Sequence, residues 1–435
     1  MRHIEEIDHY LERLFPINRS LTGEGNRETL HILQELVPLK IIEVPSGTEV
    51  YDWTIPGEWK ITDAWIKNDR GEKIIDLNDS NLHVMGYSIP VHKTMSFAEL
   101  EKRLHYLEKL PEAIPYRTSY YNEDWGFCLT HEQFKRHFRD GESYEVCIES
   151  EIFDGSLSMG ELLIGGRSDK EYLFSSYICH PSMANDNLSG VLTAIFLARY
   201  LWERRSKLHY SYRFVFAPET IGAIAYSAMN EEAMKRIDEG FVLTTCGGPG
   251  PFGYKRSWRN GGSIDRLVER VFEENAIPFV TYPFEVRGSD ERQYATQGFR
   301  IDTATITREK YYEYDYYHTS LDNLDFVKAE YIGETLELYI QLIEKMERRL
   351  FYKNSVPCGE VMLSRHGLYP EIGGAFNQLV EKRSGKSELD LILEILFYAD
   401  GKLDREALAE KTGVEMEIVE QVARKLIEKK ILEVL

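Results

Sequence analysis

No stretch of the sequence approaches the ~20 apolar residues that a membrane-spanning helix needs, so nothing in it points to a bilayer. Paired cysteines are missing too. The five present, Cys128, Cys147, Cys179, Cys246 and Cys358, are an odd number, widely scattered and without a CxxC pair, which fits reduced thiols and a cytoplasmic setting better than a disulfide framework. Positive charge is in deficit: 52 Lys and Arg stand against 72 Asp and Glu, a formal net charge of −20. Such a balance repels phosphate backbones and anionic lipid, and argues against broad nucleic-acid or membrane partners. Internal repeats and low-complexity tracts are absent as well. The opening MRHIEEIDHYLERL mixes acids and bases with apolar positions at helical spacing, which reads as an amphipathic helix and not as a secretion signal.

What is present is the composition of a globular protein, 43% hydrophobic and 29% charged, over 435 residues. That length predicts two or three folding units. Helices are expected over 2–15 and 26–37, ended by Pro16 and Pro38, with a strand at KIIEVPSG. Over 57–142 the texture changes to Trp- and Tyr-rich runs broken by Gly, Pro, Asn and Asp, with the hairpin signal NDRG, which predicts an inserted, mostly β unit. From Tyr144 continuous apolar strands alternate with helices, the pattern of a sheet covered on both faces that binds ligands at the carboxyl ends of its strands. From Lys386, three short amphipathic helices separated by Gly401 and Gly413 precede the strand ILEVL, which reads as a helix-turn-helix with a small wing.

The strand ends carry the chemistry. His180 follows EYLFSSYIC, and Asp186 precedes a long apolar helix. Alone, Asp186 would serve as a helix N-cap and His180 as an ordinary strand-end histidine. Together they form an imidazole–carboxylate pair suited to a borderline-soft divalent cation. The next strand, YRFVFAP, ends at Glu219, and YEYDYYHTSLDNLDF sets His318 in a loop before a helix.

These four stretches, a His after a strand, DNLSG before a helix, PE-x-x-G after the next strand and YHTSLDNLD, resemble the zinc aminopeptidase and glutaminyl-cyclase superfamily. The resemblance implies an α/β fold, a phosphorylase/hydrolase-like mixed β-sheet sandwiched by helices. The inserted unit and terminal winged helix are similar to a bacterial group of uncharacterised aminopeptidase-like proteins. Implied domains are a catalytic unit at 1–56 and 143–352, the mostly β insert at 57–142, and 353–435, a linker plus a winged-helix domain at 386–435.

Carried over by position, His180, Asp186 and His318 match the family's metal ligands, and Glu219 matches its general base. Two departures stand out. Dinuclear members have a second acid directly after the base, where this sequence has Thr220, and a further Asp after the next strand, where VLTTCGGPG has no carboxylate. One zinc ion with a water in its open position is therefore the expectation, in an aminopeptidase-type hydrolase acting on a small peptide or amide. A deacylase of a modified sugar or small metabolite, or a non-catalytic binding protein of the same descent, are the alternatives. A homo-oligomer is compatible with all three.

GSDERQYATQGFR resembles the family's SDH-type loop, which makes Asp290 a further ligand or an amine clamp, with Arg292 and Tyr294 beside it. A helix N-terminus capped by Ser289 explains the same pattern. Arg308 and the tyrosine run that includes Tyr317 are candidates for holding a carboxylate or sugar. In 386–435, eight Lys and Arg face twelve Asp and Glu, and the would-be recognition helix opens with Glu415, Glu417 and Glu420, which argues against DNA binding.

Overall fold

Eight of the apolar segments assemble into one mixed sheet. The protein's structure, a computed structural model, describes residues 3–369 and 386–435. The strands are β1 (Lys40–Pro45), β2 (Ser156–Ile164), β3 (Glu171–Tyr177), β4 (Ser211–Ala217), β5 (Glu239–Val242), β6 (Phe252–Lys255), β7 (Phe279–Tyr282) and β8 (Asp302–Arg308). Their order across the sheet is β1-β2-β4-β3-β5-β8-β6-β7. The central strands β4, β3, β5 and β8 run parallel, so their carboxyl ends share one rim. β1 and β2 pair antiparallel on one side; β6 is antiparallel to β8 and parallel to β7 on the other.

Helices α1 (Ile4–Leu14), α2 (Glu24–Gln34), α3 (Gly190–Glu203), α4 (Ile221–Met229), α5 (Ser263–Glu274) and α6 (Ala329–Met346) flank the sheet. The α/β sandwich predicted from the sequence is thus the fold. α3 is apolar nearly all round and buries most of its length, as a helix enclosed on every side must. On the sheet, Phe174 of β3 meets Phe214 of β4 and Phe241 of β5 at ring-centroid distances of 5.1 and 5.4 Å. This aromatic seam ties the parallel strands just below the rim.

Within 57–142 and the following strand, the chain forms a separate four-stranded antiparallel sheet in the order Lys73–Asp76, Glu58–Lys67, Ser143–Phe153, Val91–Ser96. It has its own apolar core, including Ile66, Phe97, Phe127, Tyr144 and Val146. The hairpin signal NDRG supplies the turn between Glu58–Lys67 and Lys73–Asp76, with Gly71 at φ 77°. Between two short parallel strands, Leu104–His105 and Phe127–Cys128, a loop runs out over residues 106–126.

Met1–Arg167 with Glu171–Leu342 forms one compact unit; residues 168–170 with Ile343–Leu435 form a second. The second is a winged helix-turn-helix built from α7 (Glu388–Tyr398), α8 (Arg405–Thr412) and α9 (Met416–Glu428). Ser387 caps α7, Asp404 caps α8, and Gly413 in the left-handed region ends α8. Its sheet draws on Phe351–Asn354, which pairs with both Asp400–Asp404 and Leu432–Val434. The linker expected over 353–385 lies partly outside the described residues. Among the described residues, no helix is long and apolar enough to cross a membrane.

Phe174 is 1% exposed and lies at the centre of the aromatic seam. Phe174→Ala is expected to cost about 3–5 kcal/mol, the usual penalty for emptying an aromatic site in a packed core, read as a lower midpoint in urea denaturation. A midpoint unchanged from wild type would contradict the seam's role.

Candidate metal centre

Each candidate ligand follows a strand of the parallel rim. His180 lies just beyond β3, Asp186 in the loop from β3 to α3, Glu219 just beyond β4, and His318 in the connection from β8 to α6. The loop that carries Asp186 is tied down by its two asparagines. Asn187 Nδ2 donates to Ser176 Oγ (2.9 Å) and the Tyr177 carbonyl (3.1 Å), and its Oδ1 accepts from Thr245 N. Asn185 Nδ2 donates to the Arg308 carbonyl (3.1 Å), and its Oδ1 accepts from Gly247 N (2.8 Å). The NDN triplet therefore ties three strand ends together and leaves the middle carboxylate to face inward. Gly190 explains the end of the motif: a Cβ there would collide with the Leu243 carbonyl at the end of β5. Asp186 does not cap α3, since Ser189 occupies the cap position.

His180, Asp186 and His318 come together, each offering one atom within 4.8 Å of the others. His318 Nε2 lies 3.0 Å from Asp186 Oδ2, and His180 Nδ1 lies 3.8 Å from Asp186 Oδ1. Tyr177 OH donates to Asp186 Oδ1 and also meets Thr244 Oγ1 at 2.6 Å. His180 Nδ1, Asp186 Oδ2 and His318 Nε2 are all buried without a hydrogen-bond partner. Buried polar atoms are ordinarily satisfied, and three orphans converging on one point fit a bound cation. Two nitrogens and one carboxylate oxygen, with the rest of the shell open, are the donor set of a zinc site with room for water.

The electrostatics agree. Burial pushes the His180 imidazole down to about 4 even beside Asp186, which keeps it in the neutral form that ligation requires. Burial would raise the Asp186 carboxyl, but His180, His318 and the Tyr177 hydroxyl hold it below the usual range. Glu219 behaves oppositely: burial, then the charges of Asp290 and Asp186, lift its carboxyl well above the ordinary value. Its Oε2 stands 3.9 Å from His180 Nε2.

The other expected site residues divide. Asp290 is buried close to the base, its Oδ1 accepting from Thr220 N at 2.7 Å, and burial raises its carboxyl to about 7. It is not among the three grouped ligands. Arg292 Nη2 donates to Thr220 Oγ1 at 3.1 Å, so the position after the base carries a hydroxyl engaged by a guanidinium. Tyr317 stacks on His318 with ring centroids 3.9 Å apart and planes at 15°.

Tyr294 departs from expectation. Its side chain is fully buried in the apolar core with its hydroxyl on Ser175 Oγ at 2.8 Å, where no substrate reaches it. Arg308 pairs with Glu334 and is flanked by the rings of Phe252 and Tyr331, so its guanidinium serves α6 and not the ligand cluster.

Sequence reasoning passed over three supporting groups. Asp322 accepts from Asn185 N (Oδ1, 2.6 Å), Asp186 N (Oδ2, 2.9 Å) and Tyr314 OH (Oδ2, 3.0 Å). Burial, with repulsion from Asp186, raises its carboxyl to about 7 against the pull of the Asn185 amide. Arg19, fully buried, donates from Nε to the His180 carbonyl at 2.9 Å. Tyr116 sets its ring edge-on against both imidazoles. Asp322 was within reach, since it belongs to the same YHTSLDNLD motif as His318; the other two lie far away in the chain. Backbone strain gathers here as well: Thr220, Thr245 and His318 have φ of 64°, 49° and 56°.

Comparison with known proteins gives the family and the fold. Residues 8–349 match the model of a family described as a domain of unknown function, DUF4910, and residues 350–434 match a winged helix-turn-helix model. A Clostridium acetobutylicum protein whose name joins polysaccharide biosynthesis to an aminopeptidase-like domain is 41% identical over 418 residues, 96% of this chain and 94% of its own. A crystal structure from the same species, described as a candidate peptidase, is 40% identical with a TM-score of 0.78, covering 99% of this chain and 96% of that one. The zinc aminopeptidase of Bacillus subtilis, 12% identical, superimposes with a TM-score of 0.56 over 79% of this chain and 94% of its own, which shows a shared fold.

Both Asp322 oxygens receive backbone N–H groups of the metal loop, so Asp322→Asn would turn an amide donor toward a donor. Zinc affinity is expected to fall about 10- to 100-fold, as for other groups that orient metal ligands, measured by chelator competition. Affinity unchanged in a folded Asp322→Asn protein would contradict this placement.

Proposed function

The chain belongs to the DUF4910 family, and on that premise we propose that it is a one-zinc hydrolase of the aminopeptidase type, cleaving a peptide or amide bond with Glu219 as general base. The observation that carries this reading is the meeting of three buried atoms without an aligned hydrogen bond, His180 Nδ1, Asp186 Oδ2 and His318 Nε2, beside the half-buried Glu219 carboxyl of raised pKa. The zinc-aminopeptidase fold supports it.

His180, Asp186 and His318 would hold the ion, which when bound lowers the pKa of its water to about 7 and polarises a carbonyl. Glu219 takes the water's proton on its carboxylate and returns it to the departing nitrogen. Its environment suits the role, because a carboxyl raised above its ordinary value by burial and by Asp290 and Asp186 is a stronger base than an ordinary carboxylate. A protein that merely bound ligands would have no use for such a carboxyl. Thr220, engaged by Arg292, supports one ion and not two, since a hydroxyl under a guanidinium makes a poor partner for a second cation.

A second reading concerns the substrate. The Clostridium relative's name refers to polysaccharide biosynthesis, which favours an N-acyl sugar amide as the alternative to a peptide. The same residues serve either, because the chemistry acts on the carbonyl.

Zinc-loaded protein is expected to hydrolyse members of a panel of amino-acid amides and N-acetylated sugars. Glu219→Gln should lower turnover on whichever substrate is found by about 10²- to 10⁴-fold, the usual contribution of a general base, with zinc content unchanged. Glu219→Gln protein as active as wild type would sink the assignment.

A further inference from the structure

We infer that residues 114–116, at the tip of the 106–126 loop, complete the metal centre, with Tyr116 as a positioning residue for both histidines; this rests on the zinc reading above. The loop springs from the region of the four-stranded sheet, not from the rim that supplies the ligands. At its tip it grips the His318 segment on both sides. Tyr116 N donates to the His318 carbonyl at 2.8 Å, Ser320 N donates to the Ile114 carbonyl at 2.9 Å, and Ile114 N donates to Ser320 Oγ at 2.9 Å. Pro115 faces Thr319 in an antiparallel bridge between these bonds.

His318 needs this grip. Its φ of 56° lies in the left-handed region, which residues with a Cβ adopt at a cost and hold only when their surroundings insist. The tip of the loop supplies that insistence through backbone bonds at the carbonyl of the strained residue itself and at Ser320 two positions on. Its side chain acts in parallel. The Tyr116 ring meets His180 at 5.3 Å and 85°, and His318 at 5.2 Å and 83°, both edge-to-face, while the two imidazoles stand 5.3 Å apart. Tyr317 stacks against the His318 ring as well. One ring wedged against two ligands fixes their spacing before any ion arrives, so less ordering remains to be done on binding.

The test is zinc affinity, measured on full-length protein by competition with a chromophoric chelator, alongside the melting temperature of each metal-free variant. Tyr116→Ala is expected to bind zinc about 10- to 100-fold more weakly, as for loss of a group that orients ligands. Tyr116→Phe keeps the ring and is expected to bind as wild type does. Ser320→Ala removes one bond of the grip and is expected to weaken binding about 2- to 10-fold, which keeps the test alive should Tyr116→Ala not fold. Tyr106→Ala serves as control: its ring packs on His131 and Phe134, away from the ligands, so it should lower the melting temperature and leave affinity alone. The inference is overturned if folded Tyr116→Ala or Ser320→Ala binds zinc like wild type, or if Tyr106→Ala loses as much affinity as Tyr116→Ala. Failure of wild type to bind zinc would instead bring down the hydrolase reading.

Discussion

An ionised carboxylate taken out of water is costly unless something meets it, and Asp186 Oδ2 lies in the interior 3.0 Å from His318 Nε2 without a well-formed hydrogen bond. Its sister oxygen is provided for by Tyr177. Most of the rim is arranged around this one atom. Asn185 and Asn187 tie the loop to the strand ends, Asp322 takes up its backbone amides, and Arg19 holds the backbone of His180. A fold whose only concern was stability would gain by replacing that carboxylate with an apolar group. Retaining it makes sense when a cation neutralises it.

The same logic separates the roles of the two carboxylates nearest the histidines. Asp186 is kept below the ordinary range by two imidazoles and a phenol, while Glu219 is lifted above it by burial and by two neighbouring acids. One environment holds charge and the other releases it. Divergent settings for two carboxylates at one site are what acid–base chemistry beside a metal requires. Asp290 and Arg292 both engage Thr220, the residue after Glu219, and so fix the turn that presents it.

Much of this was legible in the sequence because parallel strands deliver their chemistry at one edge. A buried strand ending in His180, another ending before Glu219, and the motifs DNLSG and YHTSLDNLD locate four residues without any knowledge of packing. What stayed hidden is what arrives from elsewhere. Tyr116 reaches the histidines from a loop between two short strands of a different region, and its neighbours in sequence give no sign of it. Tyr294 and Arg308 looked like site residues because they neighbour site-like motifs, yet the turn of their local structure sends one into the core and the other toward α6. The strand Phe351–Asn354 was likewise invisible as part of the winged unit, since its partners are supplied by residues more than forty positions later.

The central claim is that His180, Asp186 and His318 surround one ion. Diffraction from zinc-soaked crystals at energies above and below the zinc absorption edge tests it most directly. The account predicts a single strong anomalous peak about 2.0–2.2 Å from a nitrogen of each histidine and from an Asp186 oxygen, with open space on the side of Glu219. Two peaks of equal strength at this site, or zinc bound elsewhere while the three side chains remain empty, would contradict it.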